Sequence, residues 1–110
     1  MNETERDRDL LDYILESIDR IEEYRGHSGP MAEDAVLRRL ETLADASGRL
    51  SETLRRRHPE IPWARVAAFR NVLAHGYLTV RRSRVDEIIE HDLPVLKQVV
   101  DQERRRAEDA

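Results

Sequence analysis

The stretch "IPWARVAAFRNVLAHGY", residues 61–77, decides the fold because it has the pattern of one amphipathic helix. Pro62 fits the first helical turn, where a backbone N–H has no partner to lose, and Gly76 fits the helix end. At about 100° per residue, one side of the helix carries an apolar stripe made of Val66, Phe69, Val72 and Leu73. The opposite side carries the polar residues Arg70, Asn71 and His75. The stretch therefore predicts a helix with one side in a core.

Three further helices are predicted around it. Apolar residues recur at steps of three and four in 11–21 and again in 36–54, so the second of these helices is expected from about Ala32 to Arg57. A fourth helix begins near Ser83 and is kinked or split around Asp92 and Pro94. Short connections between four amphipathic helices predict an all-α, antiparallel four-helix bundle. The whole chain, 1–110, is interpreted as one domain with frayed termini at 1–7 and 103–110.

Composition limits the class of protein. The chain has 110 residues and no cysteine, with 39% hydrophobic and 38% charged residues, which is typical of a small helical domain with solvated outer faces. No run is apolar enough for a signal peptide or a membrane span, so a cytoplasmic protein is expected. The four histidines lack a metal-binding spacing, and neither a metal nor another cofactor is expected.

The charge is distributed unevenly. The net charge is -4, yet residues 61–85 contain no acid and five arginines, namely Arg65, Arg70, Arg81, Arg82 and Arg84. This segment therefore carries +5, and -4 minus +5 leaves -9 on the rest of the chain. Chance clustering on a solvated face is one explanation. The other is an attractive field around an anion site, which the position of Arg81 and Arg82 directly after the opening stretch favours.

Small residues lie within the polar side of the opening helix. Ala67 and Ala74 fall between Arg70 and His75 on the helical wheel, where a solvated face more often carries Lys, Glu or Gln. Small residues flanked by polar ones let another backbone approach closely, which favours a homodimer with two sets of motif residues at one cleft. The alternative is that alanine is simply a good helix former.

Arg70, His75 and Tyr77 fit an Arg-x4-His-x-Tyr pattern, which resembles the ribonucleases of the HEPN superfamily. With "IIEHDLPVLKQVV" at 88–100, the opening stretch is similar to the HepT-like toxins, the ribonuclease half of the HepT/MntA toxin–antitoxin pair. The resemblance covers roughly residues 8–102. Where that family usually has Gly-Glu-Ala in its second helix, this chain has Ala44, Asp45 and Ala46, so the role of Asp45 stays open.

The resemblance implies a HEPN-like bundle and metal-independent RNA cleavage, in which the 2′-hydroxyl attacks the adjacent phosphate. Arg70 and His75 are the implied catalytic residues, because a fixed cation suits the phosphate and an imidazole exchanges protons at neutral pH. The residues expected to bind phosphate or support the site are Asn71, Tyr77, Arg81 and Arg82. The implied partner is an MntA-like nucleotidyltransferase antitoxin that transfers AMP onto Tyr77 and silences the toxin.

A hypothesis from another class stays open. The chain could be a catalytically silent helical adaptor that binds a nucleotidyltransferase or a nucleotide. The complete set of Arg70, His75 and Tyr77 favours the endoribonuclease, because an adaptor has no evident need for all three.

Overall fold

In the computed structural model, residues 1–76 and 80–109 are described, and they form a bundle of helices. The helices are α1 (Glu3–Arg25), α2 (Pro30–Arg49), α3 (Glu52–Arg56), α4 (Trp63–His75), α5 (Arg82–Glu87) and α6 (Leu93–Asp109), with a π-helical turn (Ile88–Asp92) between the last two. No helix within the described ranges is both long and apolar enough to span a membrane.

Cross-helix contacts show that neighbouring helices are antiparallel. Near the start of α1, Asp7 accepts hydrogen bonds from the backbone and side chain of Ser51, just beyond the end of α2. Further along α1, Ser17 lies near Arg39, which comes earlier in α2, so the two helices run in opposite directions. Between α1 and the C-terminal helix, the contacts join Arg8 with Ala107, Asp12 with Arg104 and Arg25 with Asp86. Between α2 and α4–α5 they join Asp45 with Arg70 and Glu33 with Arg82. The predicted antiparallel bundle is confirmed.

The core consists of the apolar faces that the sequence periodicity predicts. α1 contributes Leu11, Ile14, Ile18 and Ile21, and α2 contributes Val36, Leu40 and Leu43. From α4 only Leu73 is fully buried, while Val66 and Phe69 pack partly buried against the same cluster. Each fully buried Leu or Ile contributes roughly 1.5–3 kcal/mol from removal of apolar surface from water, so this shared cluster holds the helices together.

The second predicted helix, expected from about Ala32 to Arg57, is wrong beyond Arg49. α2 ends at Arg49, Leu50 is extended with ψ of 146°, and Ser51 starts the separate short α3. The hydroxyl of Ser51 accepts a hydrogen bond from the Leu54 N–H, as helix caps do, and Asp7 holds Ser51 from α1. The break therefore results from a helix cap and a tertiary contact. Leu50 and Leu54 still have the four-residue spacing that predicted one continuous helix.

The prediction of a kinked or split C-terminal helix is confirmed, with the irregularity at Ile88–Asp92. The Leu93 N–H bonds to the Ile88 carbonyl, five residues back instead of four. Val85, Ile88 and Ile89 before the end of this turn and Leu93 and Leu96 after it are all buried. The wider turn lets both halves of the helix direct apolar residues into the core.

Helix extends into both of the stretches, 1–7 and 103–110, where frayed termini are expected. α1 begins at Glu3 because the Asn2 side chain caps it by accepting the Glu5 N–H at 2.8 Å. α6 reaches Asp109, and Arg8 donates from α1 to the Ala107 carbonyl at 3.2 Å. These capping and cross-helix bonds explain the extra helical residues at both ends.

A hydrogen-bonded Arg–His–Glu cluster, in which His58 and Glu103 are buried and the Arg57 side chain is 32% exposed, joins the turn before α4 to α6. Glu103, whose side chain is 5% exposed, accepts two hydrogen bonds from Arg57 (2.6 and 3.2 Å), and its Oε2 lies 2.6 Å from His58 Nε2. Burial alone would raise the pKa of Glu103, but the hydrogen bonds from Arg57 and His58 outweigh it and hold that pKa below its ordinary value. The same bond to Glu103 raises the pKa of Arg57. Glu103 is therefore a charged, fully bonded part of the interior.

Candidate active site

The outward side of α4 is lined by small residues and by polar motif residues. Its exposed positions are Ala64, Arg65, Ala67, Ala68, Asn71, Val72 and His75. Val72 was expected in the apolar stripe, but it is 44% exposed. At about 100° per residue it lies at the edge of that stripe and belongs with Ala68 and His75. The apolar side of α4 is thus narrower than predicted, and the exposed side is wider.

Arg70 lies at the border between this exposed side and α2. Its side chain is 38% exposed, yet its Nε atom is buried and has no hydrogen-bond partner among the residues that the structure describes. The nearest acid is Asp45 of α2, whose Oδ1 lies 3.6 Å from that Nε, too far for a hydrogen bond. Arg70 therefore keeps a partly covered, loosely paired guanidinium at the edge of a solvent-exposed face.

Asn71 contacts the arginine of the motif. Its Oδ1 accepts a hydrogen bond from Arg70 Nη1 at 3.3 Å. His75 is exposed in the last turn of α4, and its side chain has no hydrogen bond or ion pair within residues 1–76 and 80–109. His75 lies five positions after Arg70, about 7.5 Å further along the helix axis. At about 100° per residue the two side chains point about 140° apart around α4, and Asn71 lies between them.

The basic segment after α4 is partly neutralised. Arg82 pairs with Glu33 of α2 at 2.9 Å, and Arg84 pairs with Glu87 at 3.2 Å. Arg82 also borders a cleft of about 310 Å³ between the α1–α2 turn and α5. Arg65 and Arg81 are exposed and have no acidic partner in the described part of the chain. The positive field that the sequence predicts around the motif therefore rests most on Arg65, Arg70 and Arg81.

Tyr77, the residue expected to contact substrate or to be adenylylated, lies outside the described residues, as do 78, 79 and 110. Among the residues that are described, no three His, Asp or Glu side chains come together in the way that metal ligands do.

Two residues near Arg70 were not among the predicted site residues. Asp45 Oδ2 accepts a hydrogen bond from Arg49 Nε at 2.9 Å, so one carboxylate lies between Arg49 and Arg70. The sequence distinguishes Asp45 because it stands where the family usually has the Glu of Gly-Glu-Ala. No residue pattern in the sequence predicts a role for Arg49. Only the packing of α2 against α4 brings both residues beside the motif.

An antiparallel helical bundle with an arginine and a histidine five residues apart, near the exposed end of one helix, is typical of HEPN ribonucleases. Comparison with known proteins narrows this class. The sequence model of the family described as "Ribonuclease HepT-like" matches residues 14–103. The chain belongs to this HepT-like ribonuclease family.

Curated relatives agree with this assignment. The chain is 33% identical over 97 residues to "Probable ribonuclease HepT" of Thermococcus cleftensis, covering 82% of this chain and 88% of that protein. It is 30% identical over 100 residues to "Putative RNase TTE0752" of Caldanaerobacter subterraneus, covering 84% and 89%. It is 33% identical over 97 residues to "Gamma-glutamylcyclotransferase and putative RNase MJ0434" of Methanocaldococcus jannaschii, of which it spans 44%. No solved structure shows a significant match to the chain.

Proposed function

We propose that the protein is a metal-independent endoribonuclease that uses Arg70 and His75. The observation that carries this proposal is a pair of groups on neighbouring turns of α4 in a HepT-like chain: a loosely paired guanidinium, and an imidazole with no partner among residues 1–76 and 80–109. Both groups are available to a ligand, which structural Arg and His residues seldom are. RNA is the substrate because the relatives of this chain are named as ribonucleases.

The reaction needs no group beyond the RNA, the protein and water. His75 accepts the proton of a 2′-hydroxyl, whose oxygen forms a bond to the adjacent phosphorus while the bond to the 5′-oxygen breaks. The leaving 5′-oxygen takes a proton from water or from a second imidazole. Arg70 binds the phosphate oxygens as their negative charge grows, and its planar fork suits two of them at once. The products are a 2′,3′-cyclic phosphate and a 5′-hydroxyl.

We propose that the active form is a homodimer built on the outward side of α4. Ala64, Ala67 and Ala68 form a surface without long side chains, and the exposed Val72 adds apolar area to it. A second α4 can approach such a surface closely, which would place two copies of Arg70 and His75 at one cleft. Ala68→Glu should separate the dimer in analytical ultracentrifugation without unfolding the protomer. Glu16→Gln on α1 is the control, and an unchanged mass for Ala68→Glu would exclude this face.

The proposed biological role is that of a toxin that acts in the cytoplasm, where RNA and ATP are both present. Its proposed partner is a nucleotidyltransferase antitoxin. The phenolic oxygen of Tyr77 would attack the α-phosphate of ATP, with pyrophosphate as leaving group, and the adenylate would add bulk and negative charge that oppose the binding of RNA phosphate. The family resemblance supports this role. Co-expression with the antitoxin should increase the mass of the wild type by adenylyl groups and leave Tyr77→Phe unmodified.

The central experiment is RNA cleavage by purified protein in EDTA, with analysis of the product ends. We expect 2′,3′-cyclic phosphates, no cleavage of a 2′-deoxy oligonucleotide, and loss of cleavage in His75→Ala. Activity that disappears in EDTA would contradict metal independence. If the wild type cleaves no RNA and is as harmless to bacterial growth as His75→Ala, the alternative of a silent adaptor replaces this proposal.

A further inference from the structure

The carboxylate of Asp45 is shared by two arginines at the edge of the candidate site. Its Oδ2 accepts a hydrogen bond from Arg49 Nε at 2.9 Å, and its Oδ1 faces Arg70 Nε at 3.6 Å. Arg49 and Asp45 are four residues apart on α2, whereas Arg70 comes from α4. The two guanidinium groups are therefore held on either side of one acid.

Arg70 Nε is the unusual atom in this arrangement. It is buried and lacks a hydrogen-bond partner among the described residues, and a buried donor without a partner is unfavourable. Asp45 does not supply the missing hydrogen bond. Its Oδ2 is bonded to Arg49 Nε at 2.9 Å, while its Oδ1 stays 3.6 Å from Arg70 Nε. Asp45 thus orients Arg70 by charge without forming a tight pair with it.

Because Asp45 faces both arginines at Nε, it does not occupy their terminal nitrogens, although Arg70 Nη1 donates to Asn71 Oδ1 at 3.3 Å. The fork of Nη1 and Nη2 on a guanidinium extends beyond Nε and matches two oxygens of a phosphate. The Arg49 side chain is 68% exposed, and within the described ranges Asp45 is the one acid that pairs with it. The group of Arg49, Asp45 and Arg70 carries +1, so an anion is still attracted to it.

We propose that Arg49 is a second phosphate-binding residue, and that Asp45 is the positioning residue that sets Arg49 and Arg70 on neighbouring phosphates of one RNA strand. This inference rests on the proposed ribonuclease function, since it assumes a nucleic-acid strand across α4. Arg70 binds the phosphate that is cleaved, and Arg49 binds the next one along the strand. Asp45 fixes the distance between them.

Binding of a single-stranded 2′-deoxy oligonucleotide, measured by fluorescence anisotropy over a range of salt concentrations, tests Arg49 without cleavage. Arg49→Gln should weaken binding about 3–10-fold at low salt and reduce the slope of log K against log salt by about 0.7, the loss of one phosphate contact. Arg20→Gln is the matched control, because Arg20 also pairs with an acid four residues earlier, Glu16, but on α1. Equal slopes for both variants would overturn the role of Arg49.

The positioning role of Asp45 is tested by steady-state cleavage. Asp45→Asn removes a negative charge, so KM should fall, while kcat should fall about 10-fold because Arg70 loses its orientation. Asp45→Glu should restore kcat, since one more methylene closes the gap to Arg70 Nε. An unchanged kcat in Asp45→Asn would overturn this role, and thermal unfolding of each variant separates it from a loss of folded protein.

The two proposals fail in different ways. If the wild type cleaves RNA but Arg49→Gln keeps the full salt slope, the inference is wrong and the ribonuclease stands. If the wild type binds the oligonucleotide with the expected Arg49 dependence but cleaves no RNA, the phosphate site stands without the catalytic function. If the wild type binds no nucleic acid, both proposals are wrong.

Discussion

The chain contains two sets of the same three groups, an arginine, a histidine and a carboxylate, in opposite settings. In the structural set, Glu103 is 5% exposed and bonds to Arg57 and His58 at 2.6 Å. In the candidate set, Arg70 lies 3.6 Å from Asp45, and His75 is exposed without a side-chain partner in the described part of the chain. The first set joins the turn before α4 to α6, whereas the second lies on an open face.

The difference shows how identical groups divide between stability and chemistry. When Arg57 and His58 both bond to the buried carboxylate of Glu103, neither can bind a ligand without leaving that carboxylate short of a partner. When the guanidinium is loosely paired and the imidazole is free, both can bind phosphate and exchange protons. The geometry of each set, more than its residue types, assigns its role.

The largest expected effect comes from replacing the two histidines separately. His75→Ala should lower the rate of RNA cleavage by about 10²–10⁴-fold through loss of acid–base catalysis. It should leave the free energy of unfolding within about 0.5 kcal/mol, since the side chain is exposed. His58→Ala should do the reverse and destabilise the fold by about 1.5–3 kcal/mol. Single-turnover cleavage measures the rate and urea unfolding measures the stability of each variant. A loss of stability in His75→Ala would contradict the division between a structural and a catalytic histidine.

Replacement of the motif arginine by lysine has the next largest effect. Arg70→Lys keeps the charge but removes the planar fork, so cleavage should slow by about 10²-fold with the same fold stability. The matched variant Arg57→Lys should instead lower the unfolding free energy and preserve the cleavage rate of the folded protein. Equal activity of Arg70→Lys and the wild type would show that charge alone suffices at this position.

Glu103 gives a prediction about pH. Its pKa is lower in the folded than in the unfolded chain, so the unfolded chain binds a proton that the folded chain excludes. The stabilisation is therefore complete above the ordinary glutamate pKa of about 4.3 and is lost as pH falls through the lower folded value. Glu103→Gln should destabilise by about 1.5–3 kcal/mol at neutral pH and flatten the acid dependence of stability. Urea unfolding between acidic and neutral pH measures this, and parallel curves would contradict it.

The smallest expected effect concerns the arginines after α4. Arg81 is exposed and has no acidic partner in the described ranges, whereas Arg84 already pairs with Glu87 at 3.2 Å. Arg81→Gln should weaken oligonucleotide binding about 2–5-fold at low salt, because one phosphate contact is lost. Arg84→Gln should change binding less, because its charge is partly compensated. The opposite order would show that pairing does not decide which arginine binds RNA.

Most of the fold could be predicted because each long helix has a regular apolar pattern. The pattern failed where a contact distant in sequence intervened. Leu50 and Leu54 keep the helical spacing across the break between α2 and α3, and the break depends on Asp7, 44 residues away from Ser51. Val72 was misplaced for another reason, since a wheel gives the direction of a side chain but not the width of the neighbouring helix that covers it.

The candidate site could be predicted only within α4. Arg70, Asn71 and His75 follow one another on a single helix, so their spacing alone places them on neighbouring turns. Asp45 and Arg49 join them through the packing of α2 on α4, which depends on the side chains that interlock between the two helices. The spacing of residues within one helix does not show which residues of α2 pack beside α4.

The π-helical turn has a consequence for how the chain tolerates changes in length. It holds one residue more than an ordinary turn, so deletion of the exposed Glu90 would restore a regular α-helix and keep its backbone hydrogen bonds. Because the wide turn closes over five residues where an α-turn closes over four, the deletion would leave α5 and α6 in nearly the same rotation about the helix axis, with Val85 still directed into the core. Loss of one codon in this turn should therefore be tolerated, whereas loss of one codon in the regular part of α6 would rotate the residues after it by about 100°.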